Sequence, residues 1–348
     1  MGGRFEKGSS SPPSKRRRRD YDCAESSAPR RKQHLYLALD DWEGGYSIHK
    51  LDADKILDEA TDSGGERKLP EPAAFRIRSP VRGPIDFAAL GTDIFFAANP
   101  RYYFGQHPPP TFVYETKIAA LAVGPPLPTG IHSLEAAMAL GQKLYVLTSP
   151  CLPEVPSLQA LSWAPAHISN LWDPELDYFW NIVPSSPPPC CGMDVLAYAL
   201  HPDGRTIFMS TASGQAYFDD NLDAWVGIHG KEDGYICCCP VASRSSTTRR
   251  PPDCRMLNEK LFLRNNDKTW QNNGRHMRAT LTYMGYSRFC VVENILRRAD
   301  GLDSVLHVTL FSLKYDHMGG LRSKVRPCTR SYAVSKNTRM FSHATFWM

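Results

Sequence analysis

Apolar residues in this chain come in short, strand-length runs broken by glycine, proline and charged clusters. The first run is Leu35–Leu39. The polar stretch 40–45 follows, then Tyr46–Leu51, which alternates: Tyr46, Ile48 and Lys50 on one face, Ser47, His49 and Leu51 on the other. Two such runs around a Gly-containing polar turn predict a hairpin. Residues 52–72 are rich in Asp, Glu and Gly and read as a loop, with weak helical character over 53–60. Beyond it a phrase recurs. Residues 88–97 read AALGTDIFFA and residues 137–146 read AMALGQKLYV, aligned on Leu90-Gly91 and Leu140-Gly141, 50 residues apart. Looser echoes lie at 198–209, with His201-Pro202-Asp203-Gly204 at the turn, and at 281–292, with Met284-Gly285-Tyr286-Ser287. Strand, Gly turn and second strand, repeated at this spacing, is the pattern of a propeller blade, a unit that cannot bury its faces alone.

The units can be followed along the chain. The first, from Phe75 to about residue 130, pairs Asp86–Leu90 with Ile94–Ala98 and Thr111–Glu115 with Ile118–Val123. The second, to residue 189, pairs Leu134–Leu140 with Lys143–Thr148 and Leu158–Trp163 with Tyr178–Val183. Both end in proline runs, at 124–128 and 184–189. Proline lacks the ladder donor, so such a run stops a strand. The third unit starts at Asp194–Leu200 and Thr206–Thr211 and is then cut short. Ser213-Gly214 leads directly into residues 215–219, with no outer strand pair. The fourth reads Ala216–Phe218, Ala224–Ile228, Gly234–Val241 and Met256–Leu263, with 264–276 as a polar surface loop. The last reads Arg278–Met284, Arg288–Leu296, Val305–Tyr315 and Arg330–Val334. Apolar runs near both ends predict closure of a ring by pairing the first and last strands. The expected fold is all-β, a β-propeller of five or six blades over residues 33–348, with one blade incomplete. A pair of face-packed sheets is the structural alternative.

Composition adds a tail to this picture. The formal net charge of +5 belongs to residues 1–32, which carry ten Lys/Arg against four Asp/Glu; the rest carries 31 against 32. That tail is Ser, Pro, Arg and Lys with little to bury, which predicts disorder. A near-neutral body argues against a fold that grips nucleic acid with a broad basic face. No stretch approaches the ~20 apolar residues that span a bilayer. No apolar segment follows Met1 and no glycosylation sequon occurs, so an intracellular place, nucleus or cytoplasm, is expected. In that reducing setting the ten cysteines are expected as thiols rather than disulfides.

Several phrases together resemble a known family. They are residues 34–50, 87–94, LAVGPPLP at 121–128, YALHPDGRTIFMS at 198–210, QAYFDDNLDAWVG at 215–227, GYICCC at 234–239, ATLTYMGYSRFCVVE at 279–293 and RSYAVSK at 330–336. They are similar to a plant family, heavily expanded in grasses, with a kelch-like propeller domain of no assigned function. The resemblance spans about residue 33 to the end. It implies a kelch-like propeller and no catalytic residues. Family members carry an extra strand pair between the positions of Ser213 and Gly214. Its absence raises the reading of a degenerate copy with little function.

Candidate chemistry is sparse. Lys15, Arg16, Arg17, Arg18 and Arg19, with Arg30, Arg31 and Lys32, could form a two-part nuclear import signal read by an importin; the bland alternative is a solvated charge run. Ser9, Ser10, Ser11 and Ser14 could be phosphorylated beside it and weaken its charge. Cys237-Cys238-Cys239 and Cys190-Cys191 suggest metal, but consecutive strand residues face opposite ways and zinc pairs are spaced Cys-x2-Cys, so buried cysteines are expected and no cofactor or metal. His201 reads as part of a turn; His132, His276 and His317 read as lone loop residues. Trp42, Trp163, Trp180, Trp225 and Trp347 fall at comparable places in the repeats and read as packing. Hydrolase, zincin, phosphate-loop and dinucleotide motifs are not found. The expected role is non-catalytic protein binding through loops near 101–110, 150–156, 231–233 and 265–275. A ubiquitin-ligase substrate receptor is one version, although residues 1–32 are too short and polar for an F-box. A propeller enzyme with an oxidase-like central pocket is the rival class.

Overall fold

Leu35, Tyr36, Leu37, Ala38 and Leu39 are consecutive, and each is at most 4% exposed. A strand alternates its side chains between two faces, so this one is covered on both. Leu35, Leu37 and Leu39 enter one core cluster; Tyr36 and Ala38 enter another. The arrangement that produces this follows from the sheets. The computed structural model describes residues 33–42, 45–58, 65–78, 85–98, 111–127, 131–140, 143–150, 157–165, 176–182, 197–200, 207–210, 216–229, 234–240, 254–261, 275–296, 303–335 and 343–348. These residues form six sheets, taken up in chain order.

Sheet 1 joins the two ends of this region. Strand β1 (Leu35–Trp42) lies between β2 (Gly45–Leu51) and the last strand, β23 (His343–Trp347), and β4 (Phe75–Arg78) pairs outside β2. The expected hairpin and closure by first and last strands are therefore present. Phe75–Arg78 is the outer strand of this sheet rather than the start of the next unit, because Ile48 and Tyr46 pair with Phe75 and Ile77. Sheet 2 is β5 (Ile85–Leu90), β6 (Asp93–Ala98), β7 (Thr111–Glu115) and β8 (Ala120–Gly124). Sheet 3 is β9 (Ile131–Leu140), β10 (Lys143–Pro150), β11 (Ser157–Pro165) and β12 (Leu176–Ile182).

Sheet 4 has two strands among the described residues, β13 (Ala197–Leu200) and β14 (Ile207–Ser210). The Ser213-Gly214 passage, where the third unit is expected to be cut short, lies outside the described residues. Sheet 5 is β15 (Ala216–Asp219), β16 (Ala224–Ile228), β17 (Ile236–Pro240) and β18 (Arg255–Met256). Sheet 6 is β19 (Arg275–Tyr283), β20 (Arg288–Leu296), β21 (Asp303–Tyr315) and β22 (Leu321–Ser335), with β3 (Arg67–Lys68) added in parallel outside β22. The segment read as a loop over 52–72 thus holds β3 and the helix α1 (Ala53–Asp58). Asp52 caps that helix, accepting the Asp54 and Lys55 N–H groups. Strand β22 begins at Leu321, well before the expected Arg330, because it follows the long β21 through an alternating, charge-rich stretch. His132 and His276 lie in β9 and β19, not in loops.

The first strands of the sheets touch one another in chain order: β5 with β9, β9 with β13, β13 with β15, β15 with β19, and β19 with β23. Cores form between successive sheets. Sheet 1 packs on sheet 2 through Tyr36, Ile48, Ile94, Phe96 and Tyr114. Its other face packs on sheet 6 through Leu37, Leu39, Val292, Leu306, Val308 and Cys328. Sheet 5 packs on sheet 6 around Val226, Ile236, Cys238, Phe289 and Phe311. This is an all-β, propeller-like arrangement.

Phe289 is 0% exposed and stacks on Phe311, with ring centroids 5.6 Å apart. Phe289→Ala should lower stability by about 3–5 kcal/mol, read as a lower urea midpoint at unchanged slope. Ile118→Ser, on an exposed turn, should stay within about 0.5 kcal/mol of the parent.

Candidate functional site

In an antiparallel sheet the turns after the first and third strands lie at the same end. In sheet 2 the first of these is Gly91-Thr92, a two-residue hairpin with Gly91 at φ 63°. Glycine at that position carries the left-handed backbone without steric cost. The corresponding turn of sheet 6 is less ordinary. Gly285, Tyr286 and Ser287 all have positive φ, at 79°, 54° and 57°. Left-handed Tyr and Ser in succession persist only where the surroundings enforce them.

Asp219 supplies that enforcement. It ends β15 and is 0% exposed. Its Oδ2 accepts the Ser287 N–H at 2.8 Å, and its Oδ1 accepts the Ser287 hydroxyl at 2.7 Å and the Leu222 N–H at 2.9 Å. One carboxylate therefore fixes the β15–β16 turn of sheet 5 and the β19–β20 turn of sheet 6. Burial, and then the Asp219 charge and hydrogen bond, push the neighbouring Tyr283 phenol up to about 12.

Other contacts bring further turns to this end. The Thr345 and Thr282 hydroxyls are hydrogen-bonded, tying β23 to β19. His34 and Met348 exchange backbone hydrogen bonds, and Trp347 Nε1 donates to Gln33 Oε1 at 3.1 Å. The Arg288 guanidinium sits 5.9 Å from the Trp347 ring centroid. In sheet 2, Thr116 donates to the Thr92 carbonyl at 2.7 Å and its hydroxyl also faces Met348 Sδ. In the β21–β22 turn, Asp316 accepts the Met318 and Gly320 N–H groups and Arg322 Nε, and these bonds hold its pKa below the usual carboxylate range. Arg255 crosses from sheet 5 to donate to the Gly319 carbonyl at 2.8 Å, over the Tyr315 ring.

The tips of these braced turns are apolar. Ile118 is 68% exposed, Tyr286 72% and Met318 82%. A single exposed apolar residue means little. Here three stand on hydrogen-bonded turns at the same end of their strands.

Reactivity points elsewhere. Burial pushes the Cys237, Cys238, Cys290 and Cys328 thiols up, opposite to a nucleophilic cysteine. Tyr315 is likewise pushed up to about 12, first by burial and then by its hydrogen bond with Cys238. Among the described residues no three His, Cys, Asp or Glu side chains are placed to hold a metal, and no helix is long and apolar enough to cross a membrane.

The Cys237–Cys239 run behaves as strand alternation requires: Cys238 is buried towards sheet 6, while Cys237 and Cys239 lie on the opposite face. The expectation of thiols alone needs one correction. Cys239 is bonded to Cys254. The pairing Cys238↔Arg255 places Cys254 directly across from Cys239, a neighbour that spacing along the chain concealed. Trp225 and Trp347 are half-buried, Trp225 edge-on to Phe218 at 5.5 Å. His317 lies in the exposed β21–β22 turn. Lys15–Arg19, Arg30–Lys32, Cys190, Cys191 and His201 lie outside the described residues, as do the loops 101–110, 151–156, 231–233 and 265–274. Sequence reasoning missed Asp219; the phrase FDDNLD around it was visible, but its partner Ser287 is 68 residues away.

The fold so defined is that of a propeller-like all-β protein. The family described as protein of unknown function (DUF1668) matches residues 32–214 and 213–332, and the chain belongs to it. The two matches meet at the β14–β15 connection. No curated protein matches. Among solved structures, a candidate 6-phosphogluconolactonase from Bacteroides uniformis is 7% identical, with 89% of this chain and 99% of that one covered and a TM-score of 0.38. A protein from Lactobacillus plantarum is 12% identical, with 67% and 65% covered and a TM-score of 0.21. Likenesses at those scores carry no argument.

Asp219→Ala should cost about 3 kcal/mol, because it leaves buried N–H groups of Leu222 and Ser287 unpaired; Asp220→Ala, exposed, should change stability by less than about 0.5 kcal/mol. Asp316 has a depressed folded-state pKa, so its contribution is present above its unfolded value and is lost as pH falls through the folded one. Asp316→Asn should therefore flatten the acid side of the stability–pH curve, measured by urea unfolding from neutral to strongly acidic pH.

Proposed function

We propose that the six sheets are the blades of a kelch-like propeller of a plant family expanded in grasses, and that this ring is a non-catalytic protein-binding module. The observation that carries the reading is the braced turn end, where Ile118, Tyr286 and Met318 stand exposed on turns held by hydrogen bonds. A rigid surface loses little conformational entropy on docking, and exposed Tyr and Met are efficient contacts. The upward displacement of the thiols supports binding over covalent chemistry. Lys15–Arg19 and Arg30–Lys32 act as a two-part import signal for an importin, delivering the chain to the nucleus.

Proximity labelling in plant cells tests the binding role. The parent and an Ile118→Ser, Tyr286→Ala, Met318→Ala variant should fold alike, and the variant should lose the parent's most enriched neighbours. An unchanged neighbour set overturns the role of this face; stoichiometric copper or zinc in purified protein would favour an enzyme instead. In a fluorescent fusion, changing Lys15–Arg19 to Ala should shift the protein from nucleus to cytoplasm, and an unchanged distribution removes the import signal.

A further inference from the structure

Strand pairing gathers sulfur on one face of sheet 5. Cys238 faces inward, buried against sheet 6, so Cys237 and Cys239 share the opposite face of β17. Met256 lies directly across from Cys237, and Cys254 is bonded to Cys239. Cys237, Cys239, Cys254 and Met256 therefore stand at the corners of one patch on β17 and β18. No Cys-x2-Cys spacing marks this group in the chain.

The corners are close enough to share one ion. The Leu257 N–H donates to the Ile236 carbonyl at 2.8 Å, which makes 236–257 a hydrogen-bonded position. The ladder alternates, so 237–256 and 239–254 are narrow positions, and the Cα atoms of Cys239 and Cys254 are 4.4 Å apart. Along β17, residues 237 and 239 are separated by about 7 Å, two strand rises. A metal over the middle of that rectangle lies about 4 Å sideways from each Cα, a span closed by one side-chain arm and a metal–sulfur bond of about 2.3 Å.

The donor set selects the ion. Thiolates and thioethers are soft ligands that favour copper(I), whereas hard cations take oxygen. Phe218 and Trp225, beside the sulfurs on this face, bring neither charge nor oxygen. Gly227, across from Cys237, has no side chain to crowd it, and the Cys237 thiol makes a long bond, 3.6 Å, to the Gly227 carbonyl.

While Cys239 and Cys254 are bonded to each other, neither sulfur binds an ion. A dithiol reductant changes that. One of its thiolates attacks the sulfur of Cys254, the exposed member of the pair, and the Cys239 thiolate leaves; its second thiol then resolves the mixed disulfide. Two electrons and two protons pass to the protein, and the reductant ends as a disulfide. We propose that the pair so opened completes a copper(I) site with Cys237 and Met256, so that this face of sheet 5 binds metal when reduced and is closed by its disulfide when oxidised. The bound thiols give up their protons to water as the ion enters.

The test uses the full chain, opened with a phosphine, freed of it, kept without oxygen and titrated with copper(I) held by a chromogenic chelator. The reduced chain should take up one copper that the disulfide form does not. Cys237→Ser lies outside the disulfide and keeps the oxidised fold. It should weaken that copper at least about 100-fold, since loss of an outer-shell partner alone can cost that much. Met256→Leu should remove one sulfur from the copper X-ray absorption spectrum. Changing Cys190 and Cys191 together to Ser should leave uptake unchanged. Three results overturn the proposal: equal uptake by the two forms; copper that survives Cys237→Ser, which places it elsewhere in the chain or on an unfolded one; or copper lost with Cys190 and Cys191. Copper that disappears with Cys237→Ser sits on the outer strands of sheet 5 rather than in an enzyme's central pocket, so this result and the binding role of the turn end are told apart by that variant.

Discussion

A β-sheet has two faces, and a small sheet with one face in water buries too little apolar area to hold itself together. In this protein the difficulty is met by stacking sheets side by side, so that each serves as the cover for the next. Sheet 1 shows the dependence most clearly. Leu35, Leu37 and Leu39 are buried only because sheet 6 is there, and Tyr36 and Ala38 only because sheet 2 is. Its four strands come from residues 35–51, 75–78 and 343–347, so the two ends of the described chain must meet before its neighbours have anything to pack on. Stability in such a design is shared between neighbours rather than held by any one unit.

Apolar stacking sets the spacing of the sheets but not the shape of the turns that join their strands. At the junction of sheets 5 and 6 that shape is set by a polar contact. The Asp219 carboxylate satisfies groups in two turns at once and keeps three successive left-handed residues in place beside it. The result is that Tyr286 is displayed rather than folded back onto the core. The Asp316 turn follows the same logic, with a carboxylate accepting the N–H groups of its own loop and Arg255 reaching in from the neighbouring sheet. Rigid display of exposed apolar side chains is the feature on which the proposed binding role rests.

Among the described residues the two faces of sheet 5 are covered unequally: Val226, Ile236 and Cys238 on one are fully buried against sheet 6, while Trp225, Cys237 and Met256 on the other are half-buried. The Cys239–Cys254 bond ties the two outer strands of that same face together. A covalent tie is useful where packing is thin, since it limits the alternatives open to a short edge strand such as Arg255–Met256.

Much of this was legible in the order of residues alone. The repeated Leu-Gly phrase marks strand, turn and strand because glycine adopts the left-handed backbone of Gly91 without steric cost, and the runs on either side are long enough for one strand each. The alternation of Tyr46–Leu51 placed each side chain on the face it occupies. These are local properties, set by sterics and by the period of a strand. The assignment of Phe75–Arg78 to sheet 1, the parallel addition of Arg67–Lys68 beside β22, the Cys239–Cys254 bond and the contact of Asp219 with Ser287 are of another kind. Each joins residues whose nearness no local pattern encodes, and each was decided only when the sheets had stacked and brought distant edges and turns within reach.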